Sequence, residues 1–472
     1  MIKLAIQGCI IVPVGRPFTS IYEEGSSDGN DSGALCEGEE WIADGCLKML
    51  HNHVISVDDK GIIDSIVPAT SPANIVAEIA VHLGPDEFLC PGFVDLHVHS
   101  AQFAYTGTAT DRTLFEWLEH YTFPAEQRLH DDPELPYQVY SRLVDTMVSY
   151  GTTTAVYHTT LHVQPCEILV DCLLSAGQRA VVGKVCMDRN SPDTYSQSTD
   201  QNLSETQRLF SYIYAKAGRR DSRSIGLPLP LILPSVIPRF IPTCSPALLT
   251  KLGTLAKEHD CYITTHISEG LEEVEYSQKC DKEDHGLERT GSEVLEAHGL
   301  LSDKCVLAHC VYVTDSDCDL LKRQGCAICH CPLSNFFFAG GTFRCREILE
   351  RGNLVGLGTD VAGGYSPSLL HAQRDAVVAS RALDHNTSTK CDIDYRHAFW
   401  LATLGGAESL NLHDKIGSFR AGMEFDAIVL SPSGSPVQVF DTDSKQDIFQ
   451  KLLVLGDDRN VKSVFVQGRK IK

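Results

Sequence analysis

Residues 91–100, PGFVDLHVHS, decide how the rest of the chain is read. Pro91 and Gly92 punctuate the start of an apolar run, Phe93-Val94-Asp95-Leu96, which predicts a short buried strand ending on His97 and His99. Alternate residues of a strand share a face, so the two imidazoles project side by side from its carboxyl end. That is where α/β folds build active sites, and paired imidazoles suit a borderline-soft divalent metal. Two hydrogen-bonded strand histidines would give the same short pattern, so the remaining ligands decide between the readings.

Outward from this stretch, the chain after residue 88 alternates apolar runs with amphipathic helical patterns, as βα units around a parallel sheet do. Candidate strands fall at 93–98, 153–157, 180–186, 231–236, 262–267, 305–308, 326–329 and 354–357. Helical patterns include 135–149, 204–217 and 246–259, the last with Ser245 as N-cap and Pro246 at its first position. Eight such units spell a (β/α)8 TIM barrel. Residues 1–14 and 53–68 read as β-type runs, the second broken by the turn signal Asp58-Asp59-Lys60-Gly61. Residues 416–430 and 461–471 return to short strands with Gly turns. The expected architecture is α/β: a barrel over 89–410, and a small β-sandwich domain that joins 1–88 to 411–472. The acidic, Gly- and Ser-rich stretch 23–40 reads as a solvated surface loop.

Composition narrows the function. Hydrophobic residues at 43% and charged residues at 22% of 472 are those of a soluble globular protein rather than a fibrous or disordered one. A formal net charge of -22 argues against nucleic-acid and anionic-membrane partners, because both need clustered Lys and Arg. Eighteen cysteines scattered through a long chain without an export signal read as reduced thiols, and a cytosolic location is expected. The apolar N-terminus is interrupted by Gln7 and Gly8 and lacks a small-residue cleavage site after it. No uninterrupted apolar run approaches the roughly 20 residues that cross a bilayer.

Polar groups recur where the later strands end: His266-Ile267-Ser268-Glu269 at the fifth, Ala308-His309-Cys310 at the sixth and Gly358-Thr359-Asp360 at the eighth. His97, His99, His266 and Asp360 together offer three neutral nitrogens and a carboxylate. That set suits one Zn²⁺, with Fe²⁺ the second choice, and leaves a position for water. Such a metal lowers the pKa of bound water from about 15.7 to roughly 7. Glu269, three residues past His266, could carry the water proton to a substrate nitrogen, and His309 could orient the water or stabilise charge. Cys326, Cys329 and Cys331 lack a distant Cys pair and read as structural, while His158 and His162 read as rim groups that hydrogen-bond or line a channel.

PGFVDLHVH, HISE, LAHC, HCPLSN and GLGTD, in this order, resemble the metal-dependent amidohydrolase superfamily. Within it the chain is most similar to the guanine deaminases, through residues 99–126 (HSAQFAYTGTATDRTLFEWLEHYTFPAE), VGKVCMD at 182–188, PRF at 238–240, GLGTDVAGGYSPSLL at 356–370 and LGDDRN at 455–460. The resemblance implies hydrolytic deamination of guanine to xanthine and ammonia, with zinc as the metal and a homodimer as the assembly. It implies His97, His99, His266 and Asp360 as metal ligands, Glu269 as the proton shuttle beside His309 and Asp360, and Gln102, Arg239 and Phe240 as purine-binding residues, joined by His266, Glu269 and Asp360. Two-metal relatives carry a modified Lys at the end of the fourth strand. Residues 227–243 contain none, and Lys184 lies in the third strand, so one metal per chain is expected.

The side-chain chemistry agrees with that resemblance. Guanine offers a carbonyl, ring nitrogens and a flat face, which a guanidinium, an amide and an aromatic ring can each meet. One rival is deamination of another ring amine, such as a pterin, cytosine or adenine derivative; adenine has no carbonyl for Arg239. Another is a non-catalytic interaction protein on the same fold. Phe336-Phe337-Phe338 departs from the expected pattern after HCPLSN and falls where the pocket rim should be.

Overall fold

Parallel strands in chain order form the centre of the molecule: β1 (Phe93–His99), β2 (Thr152–His158), β3 (Arg179–Gly183), β4 (Ile232–Pro238), β5 (Tyr262–Ile267), β6 (Cys305–His309), β7 (Ala327–His330) and β8 (Leu354–Leu357). In this computed structural model the described residues are 2–18, 38–42, 45–70, 76–219, 228–386 and 390–472. Each strand pairs in parallel with the next. The ring closes just past the strand ends, where Asp360 N donates to His97 O at 2.8 Å and His99 N donates to Val361 O at 2.9 Å. This is the (β/α)8 barrel that the apolar runs predict.

Both faces of such a strand are covered, so it has no polar alternation to display. β1 is buried at every residue, and so is β2, TTTAVYH, whose threonines pass for a half-exposed strand in sequence. Helix Leu135–Ser149 faces the barrel with Val139, Tyr140, Leu143, Val144 and Met147, at the spacing of one helical face. Helix Pro246–His259 begins as expected, with the Ser245 side chain accepting from Leu248 N. The helix expected at 204–217 starts earlier, at Thr199, because Ser198 caps it by accepting from Gln201 N. The third strand is shorter than 180–186 and continues, after Lys184, as the separate pair Val185–Cys186.

The terminal segments meet in one nine-stranded sheet. Ile2–Pro13 pairs with Leu47–Asp58, Ile79–His82 and Phe88–Pro91, while Ala427–Leu430 joins Phe88–Pro91 to Val461–Val466. The hairpin at Asp58 is present, with Ile63–Pro68 returning along Leu47–Asp58. The sheet branches, and Ile6, Ile10, Ile55, Val57, Phe425 and Phe465 share a buried core separate from that of the barrel. Residues 416–430 are strand only over Ala427–Leu430. Leu410, Leu412 and Ile416 pack instead with Val94, Leu96, Val156 and Val306 of the barrel, which takes that backbone out of the sheet. Helix Lys445–Leu455, which the alternating pattern does not announce, sets Phe449 against Phe88 and Phe399 at ring distances of 5.6 and 5.3 Å.

Most of the acidic stretch 23–40 lies outside the described residues; its end enters the strand Glu39–Trp41. Every described cysteine is buried. Among the described residues no helix is long and apolar enough to cross a membrane.

Candidate active site

The donors converge because β1 and β8 are neighbours across the closure. Asp95 is fully buried within β1 and accepts from His97 N at 3.1 Å, Thr359 N at 3.1 Å and Thr359 Oγ1 at 2.6 Å. Its carboxylate thereby ties the histidine strand to the aspartate loop. Burial pushes the Asp95 carboxyl up to about 7, against the bonds from Thr359 that lower it. Gly358 is required beside it: a Cβ there would lie 2.5 Å from Cys329 Sγ and 2.9 Å from His97 Cβ.

His97 Nε2 and His99 Nε2 lie 3.2 and 3.5 Å from Asp360 Oδ1. His99 Nε2 faces His266 Nε2 at 3.0 Å. Donor atoms about 2.0–2.2 Å from one tetrahedral ion would stand roughly 3.3 Å from each other, so these separations fit a shared metal. Two buried ring nitrogens that face each other, and a buried His97 Nε2 that lacks a hydrogen-bond partner, also fit a cation better than an apo protein. The His266 Nδ1 bond to Arg239 O, 2.6 Å, aims that ring's Nε2 inward. Burial depresses the pKa of all three imidazoles, which keeps them neutral and ready to ligate. Burial would raise Asp360, but His97 and His309 hold it at about 2.

Glu269 and His309 close the other side. His309 Nε2 lies 3.7 Å from Glu269 Oε2 and 3.9 Å from Asp360 Oδ2, while its Nδ1 meets Asn335 Oδ1 at 3.0 Å. Burial pushes the Glu269 carboxyl up to about 7, where a carboxylate can both accept and return a proton near neutrality. Burial would lower His309, yet Glu269 and Asp360 outweigh it and raise it. The backbone here is unusual: Ser268, His309, Cys310 and Asp360 all have φ between 50° and 69°. Non-glycine residues rarely adopt that region, and strain of this kind gathers at functional sites. It turns each chain sharply at the end of β5, β6 and β8, so that side chains two or three residues apart face one pocket.

Gln102, Arg239 and Phe240 line the same pocket as His266, Glu269, His309 and Asp360. The expected ligands, Glu269, His309 and the three expected purine-binding residues are thus brought together. The one the sequence reading passes over is Glu126, on helix Phe123–Asp131. It is fully buried and pairs with both terminal nitrogens of Arg239, at 2.9 and 3.2 Å. It also accepts from Gln102 Nε2 at 3.3 Å and from Tyr195 Oη at 2.5 Å. Asp95 lies in PGFVDLHVH and Asn335 in HCPLSN, but nothing local marks which groups they bond. Nothing local marks Glu126 either, because Arg128 stands two residues on and offers a nearer cation in the sequence.

The other candidates resolve simply. His158 Nε2 meets Thr264 Oγ1 at 2.9 Å, and its ring lies edge-on to His97, 4.4 Å between centroids, within the same buried histidine group. His162 meets Gln127 at 3.3 Å and stacks on His130 at 3.9 Å. Lys184 is buried and bonds Asn202 Oδ1 and Val185 O, away from the pocket lining. Cys329 and Cys331 are 3.6 Å apart, whereas Cys326 bonds Ser302 O, so the three do not assemble a site. Of the three consecutive phenylalanines only Phe338 lines the pocket, packed 5.1 Å from Trp117; Phe336 and Phe337 are exposed.

A sequence profile of the amidohydrolase family matches residues 88–471. The chain belongs to the amidohydrolase family. It is 37% identical to the guanine deaminase of Dictyostelium discoideum over 91% of this chain and 95% of that protein, and 37% identical to that of Homo sapiens over 90% and 93%. Its fold superposes on the crystal structure of the guanine deaminase from C. acetobutylicum, with guanine bound in the active site, at a TM-score of 0.82 and 27% identity, with both chains fully covered.

Proposed function

We propose that this chain is a zinc-dependent guanine deaminase that hydrolyses guanine to xanthine and ammonia. The observation that carries the reading is that His97, His99, His266 and Asp360, with donor atoms 3.0–3.5 Å from a neighbour in the set, abut a pocket lined by Glu269 and by a guanidinium, an amide and an aromatic ring suited to a purine. Relatives named guanine deaminase, matched along nearly their whole length, support the choice of substrate.

His97, His99, His266 and Asp360 would hold one zinc per chain, which would supply an acidified water at neutral pH. Glu269 takes the proton of that water and returns it to a purine ring nitrogen as attack proceeds at C2. In its protonated form, which its two carboxylate neighbours favour, His309 donates from Nε2 to the oxygen that accumulates charge. Asp360 relays the second proton to the departing amine. Arg239 donates to the 6-carbonyl, Gln102 reads the ring edge and Phe240 covers the face. His266, Glu269 and Asp360 touch the substrate from the side of the metal.

The reading includes a homodimeric, cytosolic enzyme and the division of the chain into 1–88, 89–410 and 411–472. The test is ammonia release from guanine, adenine, cytosine and a pterin, with metal content measured on the same sample. Xanthine from guanine alone, with about one zinc per chain, is expected. Turnover of another amine would keep the metal chemistry and remove the purine assignment of Arg239 and Gln102. A protein that binds no metal and turns nothing over would leave a non-catalytic role.

A further inference from the structure

Glu126 touches neither the donor set nor Glu269, yet it is the hub of the substrate side of the pocket. Its Oε1 meets Gln102 Nε2 and Arg239, and its Oε2 meets Arg239 and Tyr195 Oη. Gln102 is fixed at its other end by Ala362 N, which donates to Oε1 at 3.3 Å. The amide therefore cannot flip without breaking both bonds, so its orientation, with donor and acceptor at defined places, is set by Glu126 and the β8 loop.

The fork geometry has a second effect. A guanidinium has five N–H donors in a plane. Glu126 engages one on each terminal nitrogen, which orients the plane and leaves the others for a ligand. Because the two charges cancel in a dry site, Arg239 meets the ligand as a neutral pair rather than a free cation. A neutral carbonyl suits that pair; an anionic substrate gains little from it.

We propose that Glu126 is the specificity-determining positioning residue of this enzyme: it sets the orientation of Arg239 and Gln102 and tunes the pocket to neutral purines that carry a 6-carbonyl. The inference rests on the proposed guanine reading and deepens it.

The experiment uses the zinc-loaded protein in a Glu269→Gln background, where binding can be measured without turnover. Dissociation constants are determined for guanine and for 2-aminopurine, which keeps the 2-amine and lacks the carbonyl. Glu126→Gln should weaken guanine by about 10–100-fold, the worth of a charge-assisted hydrogen bond, and weaken 2-aminopurine by a several-fold smaller factor, the share that passes through Gln102. Equal weakening of both ligands, or of neither, would overturn the proposal, since a merely structural acid would not distinguish them. Guanine binding also gives a cycle that needs no second ligand: Glu126→Gln added to Arg239→Met should cost several-fold less than it does with Arg239 present, the remainder being the share of Gln102, and a full additive loss would overturn the coupling. Tyr195→Phe, which removes one donor to Glu126 and leaves the Arg239 fork, should shift guanine in the same direction by a smaller factor. Wild-type protein that binds zinc and releases no ammonia from guanine would remove the functional reading and the inference with it. Normal wild-type turnover with an undiscriminating Glu126→Gln variant removes the inference alone.

Discussion

Two buried arginines sit at opposite ends of the same barrel, and their surroundings make them different objects. Arg179, at the amino end of β3, donates to Asp426 Oδ2 at 3.0 Å and to Glu424 Oε2 at 2.6 Å. Arg239, just past the carboxyl end of β4, is forked onto Glu126. In both, burial alone would lower the guanidinium pKa and the carboxylates raise it. At the lower cluster the acids are used up by the fold: Leu229 N and Gln467 Nε2 bond Glu424, and Gln467 N bonds Asp426. That cluster joins the barrel to the terminal sheet, and its guanidinium is fully enclosed. The upper one opens onto the pocket, with donors to spare. Equal chemistry gives glue where the partners are saturated by backbone and a recognition group where they are not.

The sharpest break between the two ends is expected at the catalytic acid. Glu269→Gln should lower kcat by about 10²–10⁴-fold, the usual worth of a general acid–base, while zinc content and unfolding midpoint stay near wild type. Loss of zinc from this variant would make Glu269 a structural residue and erase the contrast. At the lower end, Arg179→Met should cost about 3–5 kcal/mol of stability by leaving two buried carboxylates unpaired. Denaturant unfolding measures it. The folded fraction should keep its KM for guanine, and a raised KM would show that the lower cluster also shapes the pocket.

A smaller effect is expected at the closure. Thr359→Val removes the bond from Thr359 Oγ1 to Asp95, 2.6 Å, and should weaken zinc binding by about 10–100-fold through the tilt of His97 and Asp360. Competition with a chelator reads it, and unchanged affinity would make Asp95 a purely structural tie. The smallest effect is on pH. Burial raises Glu269 to about 7, so the carboxylate form that must accept a proton is lost as pH falls through that value. The kcat/KM for guanine should fall about tenfold per unit well below pH 7. A limb centred near 4.5, the ordinary value for this side chain, would mean that the pocket is wetter than its burial implies.

Much of the barrel was legible in the sequence because its strands are short apolar runs between amphipathic helices, and only their ends shifted. The helix at Thr199 begins ahead of its apolar periodicity, because its cap, Ser198, precedes the first apolar turn. The segment 416–430 reads as strand along its whole length because an apolar residue such as Ile416 looks the same whether it faces a sheet or the barrel. Phe338 could not be separated from Phe336 and Phe337, since which of three adjacent rings faces inward depends on the turn that carries them.

By itself, the sequence determined the donor types and their order: a His-x-His pair at period two, His266 with Glu269 three residues on, and an aspartate after Gly358-Thr359. Those are local facts, because a strand fixes which face its own residues share. Only the tertiary structure decided that Glu126 pairs with Arg239 across 113 residues and that Asp95 grips Thr359 across 264. Contacts at that separation exist only once the barrel has closed. A buried carboxylate is stable in several places along a chain, and the fold selects which cation and which N–H it meets.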